Sequence, residues 1–396
     1  MANNVGLKPI HGYDKKTYRK SMQQFATELQ NAANRSLPPN IKPYNGVFVL
    51  AMHWSNDKTG VAPLEDELCQ IFTSVYGYTV EKYLIDATIR QYDTRKQLRK
   101  RMERFSDDYD QPGNLLIVVY SGHAAYINPR GERVLAGEYS DIDINWSLSK
   151  PTIDWDEDAT AYIRDTYADA LLISDTCYAS STAVENTTGP EVIAASTWHT
   201  VAGGAPSTLP WHFATGGAPP TSFSKLLITE LKRLNGNPAS AASIYAEIHR
   251  NTKPSAEATA CPLHVAKGGR DSIALSKLGA STFENPTIIG PLQPKDERVL
   301  IQVRLSDHNG VTTPDIGQWT GWLTSNLPSN ISKTQISTEG VFDTNSALIL
   351  LVSMPLEVWT MLPDGDDAYG FISFVSSGNR LLPRQTTLPL RNMENL

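Results

Sequence analysis

The sequence is poor in cysteine and in long apolar stretches. Its 396 residues include three cysteines, Cys69, Cys177 and Cys261, an odd number without paired spacing. This pattern excludes the disulfide framework that stabilises many small secreted proteins. No apolar run approaches the roughly 20 residues that a membrane-spanning helix needs, and the first residues, MANNVGLKPIHGYDKK, lack the apolar core of a signal peptide. We therefore expect a cytoplasmic protein without a membrane partner.

Positive charge is also scarce. The chain has 35 Lys and Arg against 42 Asp and Glu, a formal net charge of −7. Nucleic-acid-binding domains usually carry a basic patch or stripe. The local basic cluster from Arg95 to Arg104 is interpreted as the solvent-facing side of a helix. We therefore expect no nucleic-acid partner.

Two similar segments stand out in the first half of the chain. NLLIVVYSGHAAY starts at Asn114 and DALLISDTCYASS starts at Asp169. Each opens with an apolar run typical of a strand buried on both faces, and each then turns small and polar. The first segment carries His123 and the second carries Cys177. The carboxyl ends of parallel strands share one edge of the sheet, so these two residues are predicted to face one crevice.

A cysteine and a histidine in one crevice are sufficient for acyl transfer. The thiolate attacks, and the imidazole takes its proton and later protonates the leaving amine. The other interpretation is structural, since a free cysteine at the end of a buried strand often serves only as a small apolar side chain.

The residues around this pair carry a resemblance to a known family. YSGH, from Tyr120, and SDTC, from Ser174, resemble the two signatures of caspase-like cysteine proteases. An Asp two residues before the Cys is similar to the Asp-Ser-Cys of metacaspases, the caspase-like proteases of plants, fungi and protists. The chain departs from the family at Ala124, where the family has Gly, and after the Cys at Tyr178-Ala179.

The resemblance implies both a fold and an activity. The fold would be an α/β caspase-like sandwich, with a mostly parallel six-stranded sheet and helices on both faces. The activity would be that of an endopeptidase in regulated proteolysis or cell-death signalling, acting on a protein or peptide substrate. Cys177 would be the nucleophile and His123 the general base and then acid, while backbone N–H groups of Ala124 and Cys177 would hold the oxyanion.

The resemblance also implies a preference for cleavage after Arg or Lys. A carboxylate beside the nucleophile would raise the pKa of the thiol unless it is turned away to meet a cation. Asp175 matches the family position that does so, and Ser121 and Asp57 would complete the substrate pocket. For Asp57 a simpler role is open, because an Asp in a loop commonly forms a turn.

No cofactor is required by the sequence, but metacaspases often need calcium. The acidic interval after His123 offers the hard oxygen ligands that this ion prefers. By offset from His123 and Cys177, the candidate ligands are Glu138, Asp154, Asp156 and Glu185. Solvated loop carboxylates are the alternative interpretation.

Apolar spacing places the expected domains along the chain. Residues 1–45 are predicted to hold a helix from Lys15 to about Arg35 and a linker, and residues 46–277 the catalytic domain. Within it, Thr94 and Gln97 form a capping-box pattern that predicts a helix start, and a further helix is expected from Ala159 to Tyr167. Residues 278–297 read as a second linker.

Residues 298–396 are expected to form a small α+β accessory domain. Their βαββαβ pattern is the ferredoxin-like order. The module resembles appendages of caspase-like and other modular proteins of filamentous fungi, and its expected role is packing or binding a regulatory protein. This suggests a second functional hypothesis for the whole chain, a catalytically inactive caspase-like adaptor that binds partners.

Overall fold

The computed structural model describes most of the chain, and the account below is confined to that part. It covers residues 19–36, 38, 40–41, 43–57, 60–126, 133–136, 151–176, 188–195, 222–252, 262–266, 269–279, 283–284, 298–306, 336–344, 347–363 and 366–376.

Among the described residues, one helix precedes the first strand and the others lie between strands. They are α1 (Met22–Ser36), α2 (Ala62–Ile71), α3 (Gln91–Tyr109), α4 (Trp155–Asp158), α5 (Phe223–Leu234), α6 (Ala241–Asn251) and α7 (Leu356–Trp359). A π-helical turn, Phe72–Tyr76, extends α2, and a 3-10 turn, Thr160–Ile163, follows α4. Among the described residues, no helix is long and apolar enough to cross a membrane.

The strands are numbered in chain order. They are β1 (Asn40–Ile41), β2 (Gly46–Trp54), β3 (Thr79–Ile85), β4 (Asn114–Ser121), β5 (His123–Tyr126), β6 (Arg133–Ala136), β7 (Ile153–Asp154), β8 (Asp169–Asp175), β9 (Glu191–Ala194), β10 (Ala239–Ser240), β11 (Leu263–Val265), β12 (Ala274–Leu275), β13 (Phe283–Glu284), β14 (Arg298–Leu305), β15 (Ser337–Asp343), β16 (Leu348–Pro355) and β17 (Tyr369–Val375).

The central sheet has six strands in the order β11-β9-β8-β4-β2-β3. All neighbours are parallel except β11, which pairs antiparallel with β9 at one edge. The interior strands β4 and β8 are buried along almost their whole length, as their unbroken apolar runs predict. The mostly parallel six-stranded sheet expected from the sequence is confirmed.

Helices cover both faces of this sheet. Alternate strand residues such as Val49 and Ile117 pack with α1, α2, α5 and α6. The intervening residues, such as Leu50 and Leu116, pack with α3, α4 and the turn that follows α4. We call the first side the α2/α5 face and the second the α3 face.

Two helix starts differ from the sequence prediction. The first helix begins at Met22 rather than Lys15, because Ser21 and Gln24 form a reciprocal capping box, with Gln24 N–H donating to Ser21 Oγ at 3.1 Å. The predicted capping box at Thr94 is wrong. α3 starts at Gln91, and the Thr94 hydroxyl donates to the carbonyl of Asp86 at 3.0 Å.

The basic cluster of α3 is not simply a solvent-facing surface. Arg95 and Arg99 pair with Asp158, which is completely buried, at 2.7 and 2.6 Å. A buried carboxylate is costly without a cation, so these two arginines join α3 to α4. The helix expected from Ala159 to Tyr167 is also wrong, since α4 ends at Asp158 and a 3-10 turn, Thr160–Ile163, follows it.

The last part of the chain forms an antiparallel sheet in the order β15-β16-β14-β17. Strands β14 and β15 both run antiparallel to β16, which separates them. They are therefore parallel to each other, as in the split βαβ unit expected from the sequence. The first helix of the expected βαββαβ order falls between β14 and β15, on residues outside the described ones.

Several contacts connect this C-terminal sheet to the rest of the chain. Lys20 forms a bridge with Leu305, and Arg35 donates to the carbonyl of Met361 at 2.7 Å. The buried cores of the two sheets form one continuous apolar cluster on the α2/α5 face. In addition, β13, in the stretch predicted to be a linker, pairs with β1. The domain boundaries proposed from the sequence stay a prediction.

Candidate functional site

The ends of β4 and β8 lie side by side at the carboxyl edge of the central sheet. Their parallel register pairs Tyr120 with Ser174 and Ser121 with Asp175. One further hydrogen bond, from the N–H of Gly122 to the carbonyl of Asp175 at 3.1 Å, joins the two chain segments just beyond the paired residues. The two motifs identified in the sequence therefore meet at one edge.

The chain bends sharply after β4. Gly122 has a φ of +148°, and a Cβ there would lie 3.0 Å from the Tyr120 hydroxyl. This conformation favours glycine. The apolar run before His123 predicted that this residue ends the same strand as Tyr120, and this prediction is wrong. His123 instead begins β5, which belongs to a separate three-stranded sheet with β6 and β7.

Cys177 lies outside the described residues, two positions beyond the last residue of β8. Ala124 is described as the second residue of β5. Of the other cysteines, Cys69 is buried in α2, and burial raises the pKa of its thiol to about 11. Because only the thiolate is nucleophilic, Cys69 has a packing role.

Asp57 lies at the same edge of the sheet. It follows β2 by three residues, and its Oδ2 would be 3.2 Å from a Cβ placed on Gly122. Ser121, next to that glycine, is buried. The structure thus brings Asp57, Ser121 and Asp175 to one end of the neighbouring strands β2, β4 and β8.

The carboxyl group of Asp175 contacts the start of α5. It accepts hydrogen bonds from the hydroxyl and the backbone N–H of Ser224. Desolvation by burial raises the pKa of Asp175 above its ordinary value, and the two bonds from Ser224 act in the opposite direction. In the described part of the chain, no Lys, Arg or His pairs with Asp175.

Sequence reasoning missed a hydrogen-bonded pair of a histidine and a glutamate on this edge. The β2–β4 register ends at Met52 and Tyr120, so His53 is level with Ser121. His53 Nδ1 lies 2.9 Å from Oε1 of Glu65, a buried residue of α2. This hydrogen bond is the main reason why the pKa of His53 is raised, against the opposing effect of burial.

His53, Ser121 and Asp175 occupy one row on the α2/α5 face. Each follows strand residues whose side chains pack on that face, for example Ala51, Val119 and Ile173. Helices α2 and α5 supply hydrogen-bond partners at the two ends of the row. We call these three residues the edge row.

The candidate calcium ligands are only partly described. Asp154 caps α4, accepting from the N–H groups of Asp156 and Glu157 at 3.0 and 3.1 Å. Burial is the main reason why the pKa of Asp154 is raised. Asp156 accepts from the Thr160 hydroxyl at 3.2 Å. Glu138 and Glu185 lie outside the described residues, and within the described ones no group of three potential ligands converges.

No family model and no curated protein matches the sequence. Among solved structures, the chain is similar to caspase-1 from Spodoptera frugiperda. The identity is 12%, the TM-score is 0.34, and the alignment covers 59% of this chain and 88% of that one. A similarity at this level carries no weight for the function.

Proposed function

We propose that the chain is a cysteine endopeptidase with Cys177 as nucleophile and His123 as general base and acid. The proposal is supported by the register between β4 and β8, which aligns Ser121 with Asp175. His123 and Cys177 each follow this aligned pair by two residues. Residues that leave adjacent strand ends together can share one crevice, which a nucleophile and its base require.

The substrate preference that we propose is for Arg or Lys before the cleaved bond. Asp175 is a half-buried carboxyl group without a cationic partner in the described chain. Desolvated charges are stabilised mainly by pairing, so a basic substrate side chain fits this position. Ser121 and Asp57 lie at the same edge and would complete the pocket.

The test is hydrolysis of fluorogenic peptides that carry Arg, Lys or Asp before the cleaved bond. We expect the wild type to cleave the Arg and Lys peptides, and Cys177→Ala and His123→Ala to lose at least about a hundredfold in kcat/KM. Cys69→Ala is the matched control, because its thiol is buried and protonated, and it should keep activity. Equal signals from wild type and Cys177→Ala would favour the inactive adaptor instead.

A further inference from the structure

Asp175 caps a helix that belongs to a different part of the chain. Ser224 is the second residue of α5, a helix of 12 residues. Backbone N–H groups in the first turn of a helix lack partners within the helix, and they favour a negative charge. The hydroxyl and the backbone N–H of Ser224 both donate to the Asp175 carboxylate, so the first turn of α5 contacts this carboxylate.

The environment of this contact is largely closed to water. Ser224 is 6% exposed, and Ser174, beside Asp175 on β8, is completely buried. Ser222, two residues earlier, is the residue before α5 but makes no side-chain cap, and its hydroxyl has no hydrogen-bond partner in the described chain. The fold therefore uses Ser224, and not the usual capping position, to bind the carboxylate.

We propose that Ser224 is a positioning residue for substrate selection, whose hydroxyl holds the Asp175 carboxylate oriented toward the basic side chain of the substrate. The inference rests on the proposed function and names a residue that the sequence motifs do not contain. Hydrogen bonds to the charged form of an acid also keep that form populated. Ser224 would thus preserve the negative charge that binds the substrate cation.

A purely structural role for Ser224 makes a different prediction. If the contact only stabilised the start of α5, its loss would weaken the protein without distinguishing between substrates. If Ser224 positions Asp175, its loss weakens binding of a charged side chain and leaves a neutral side chain of the same shape almost unaffected.

The experiment measures peptide binding by calorimetry in a Cys177→Ala background, which cannot cleave. Two peptides differ only before the scissile bond, with Arg in one and its neutral isostere citrulline in the other. We expect Ser224→Ala to weaken binding of the Arg peptide by roughly tenfold, since a hydrogen bond to a charged group is lost. Binding of the citrulline peptide should change by less than about twofold.

Two variants control for the start of the helix. Ser222→Ala removes a neighbouring hydroxyl that has no described hydrogen-bond partner, and it should leave the binding of both peptides unchanged. Ser224→Thr keeps the hydroxyl and should restore most of the affinity for Arg. In the cleaving enzyme, Ser224→Ala should raise KM for the Arg peptide more than it lowers kcat.

The possible outcomes separate the two proposals. A parallel loss for both peptides, no loss for either, or no binding of the Arg peptide by the Cys177→Ala parent would overturn the role of Ser224. Absence of hydrolysis that depends on Cys177 would refute the peptidase instead. The binding comparison would still decide whether Ser224 supports recognition of a cation.

Discussion

Glu65 keeps one buried carboxylate oxygen, Oε2, without a hydrogen-bond partner in the described part of the chain. Its other oxygen meets His53, whose side chain is 13% exposed. The pKa of His53 is raised by this contact. The pair therefore contributes its full stabilisation of the folded protein at pH values below the pKa of histidine in the unfolded chain, about 6.5. This stabilisation is lost as the pH rises through the folded pKa.

We therefore predict that Glu65→Gln lowers the free energy of unfolding by about 1–3 kcal/mol at pH near 5.5 and by clearly less at pH near 9. Urea denaturation at the two pH values measures this difference. Glu67→Gln, on the same helix, is the control. Glu67 pairs with Lys232, and its pKa is lowered by that contact, so any effect should be the same at both values. A loss of equal size at both pH values for Glu65→Gln would contradict the prediction.

Individual site residues were predictable where they lie at the end of a predicted strand. Two apolar runs that end in small polar residues predicted that their polar ends share one edge of the sheet, and the register of Ser121 with Asp175 agrees. Glu65 and Ser224 were not identified, because no local pattern shows which helix start or helix face meets which strand end. Those contacts depend on tertiary packing alone.

At the scale of elements, α4 offers a test of the calcium hypothesis. Asp154 is the N-cap of this helix and is also a candidate ligand. Asn caps helices about as well as Asp, so Asp154→Asn should keep α4 while removing one ligand charge. We predict that millimolar calcium raises the Tm of the wild type by a few degrees, as ligand binding to the folded state does, and raises that of Asp154→Asn by less.

Differential scanning fluorimetry with calcium and with magnesium measures this effect, and magnesium serves as the control ion. If calcium changes neither the Tm nor the peptidase activity of the wild type, the four proposed ligands do not form a site.

Helices were easiest to locate in the sequence where regular apolar spacing was the dominant signal. In α5, Phe223, Leu227, Leu231 and Leu234 recur at helical spacing in the sequence, and the helix spans Phe223–Leu234. α1 and α3 were misplaced at their starts, because apolar spacing marks the buried face of a helix but not its first turn. The capping box at Ser21 was present in the sequence, whereas the one read at Thr94 was a chance pattern inside a helix.

At the scale of the whole molecule, the two sheets share one apolar core. Leu350 of the C-terminal sheet and Leu115 of the central sheet both belong to this core and are completely buried. A buried polar network adds to this connection, since His264 pairs with Glu191 at 2.6 Å and with the Thr360 hydroxyl at 3.0 Å. A module that is merely appended would not share a core in this way.

We predict that the protein unfolds in one calorimetric transition and that Leu350→Ala and Leu115→Ala both move it as a whole. Each substitution should cost about 2–5 kcal/mol, the usual range for a buried leucine. Scanning calorimetry of the three proteins decides the question. Two resolved transitions, of which each variant moves only one, would show that the sheets fold independently.

The position of α1 has a consequence for biosynthesis. Phe25 and Leu29 are completely buried, and Tyr369 is among the partners of this helix, with its ring centroid 6.1 Å from that of Phe25. A ribosome adds about 5–20 residues per second, so α1 leaves the exit tunnel tens of seconds before the C-terminal sheet exists. During that interval the apolar side of α1 lacks its final partners, and a nascent chain in this state is a natural client for a chaperone.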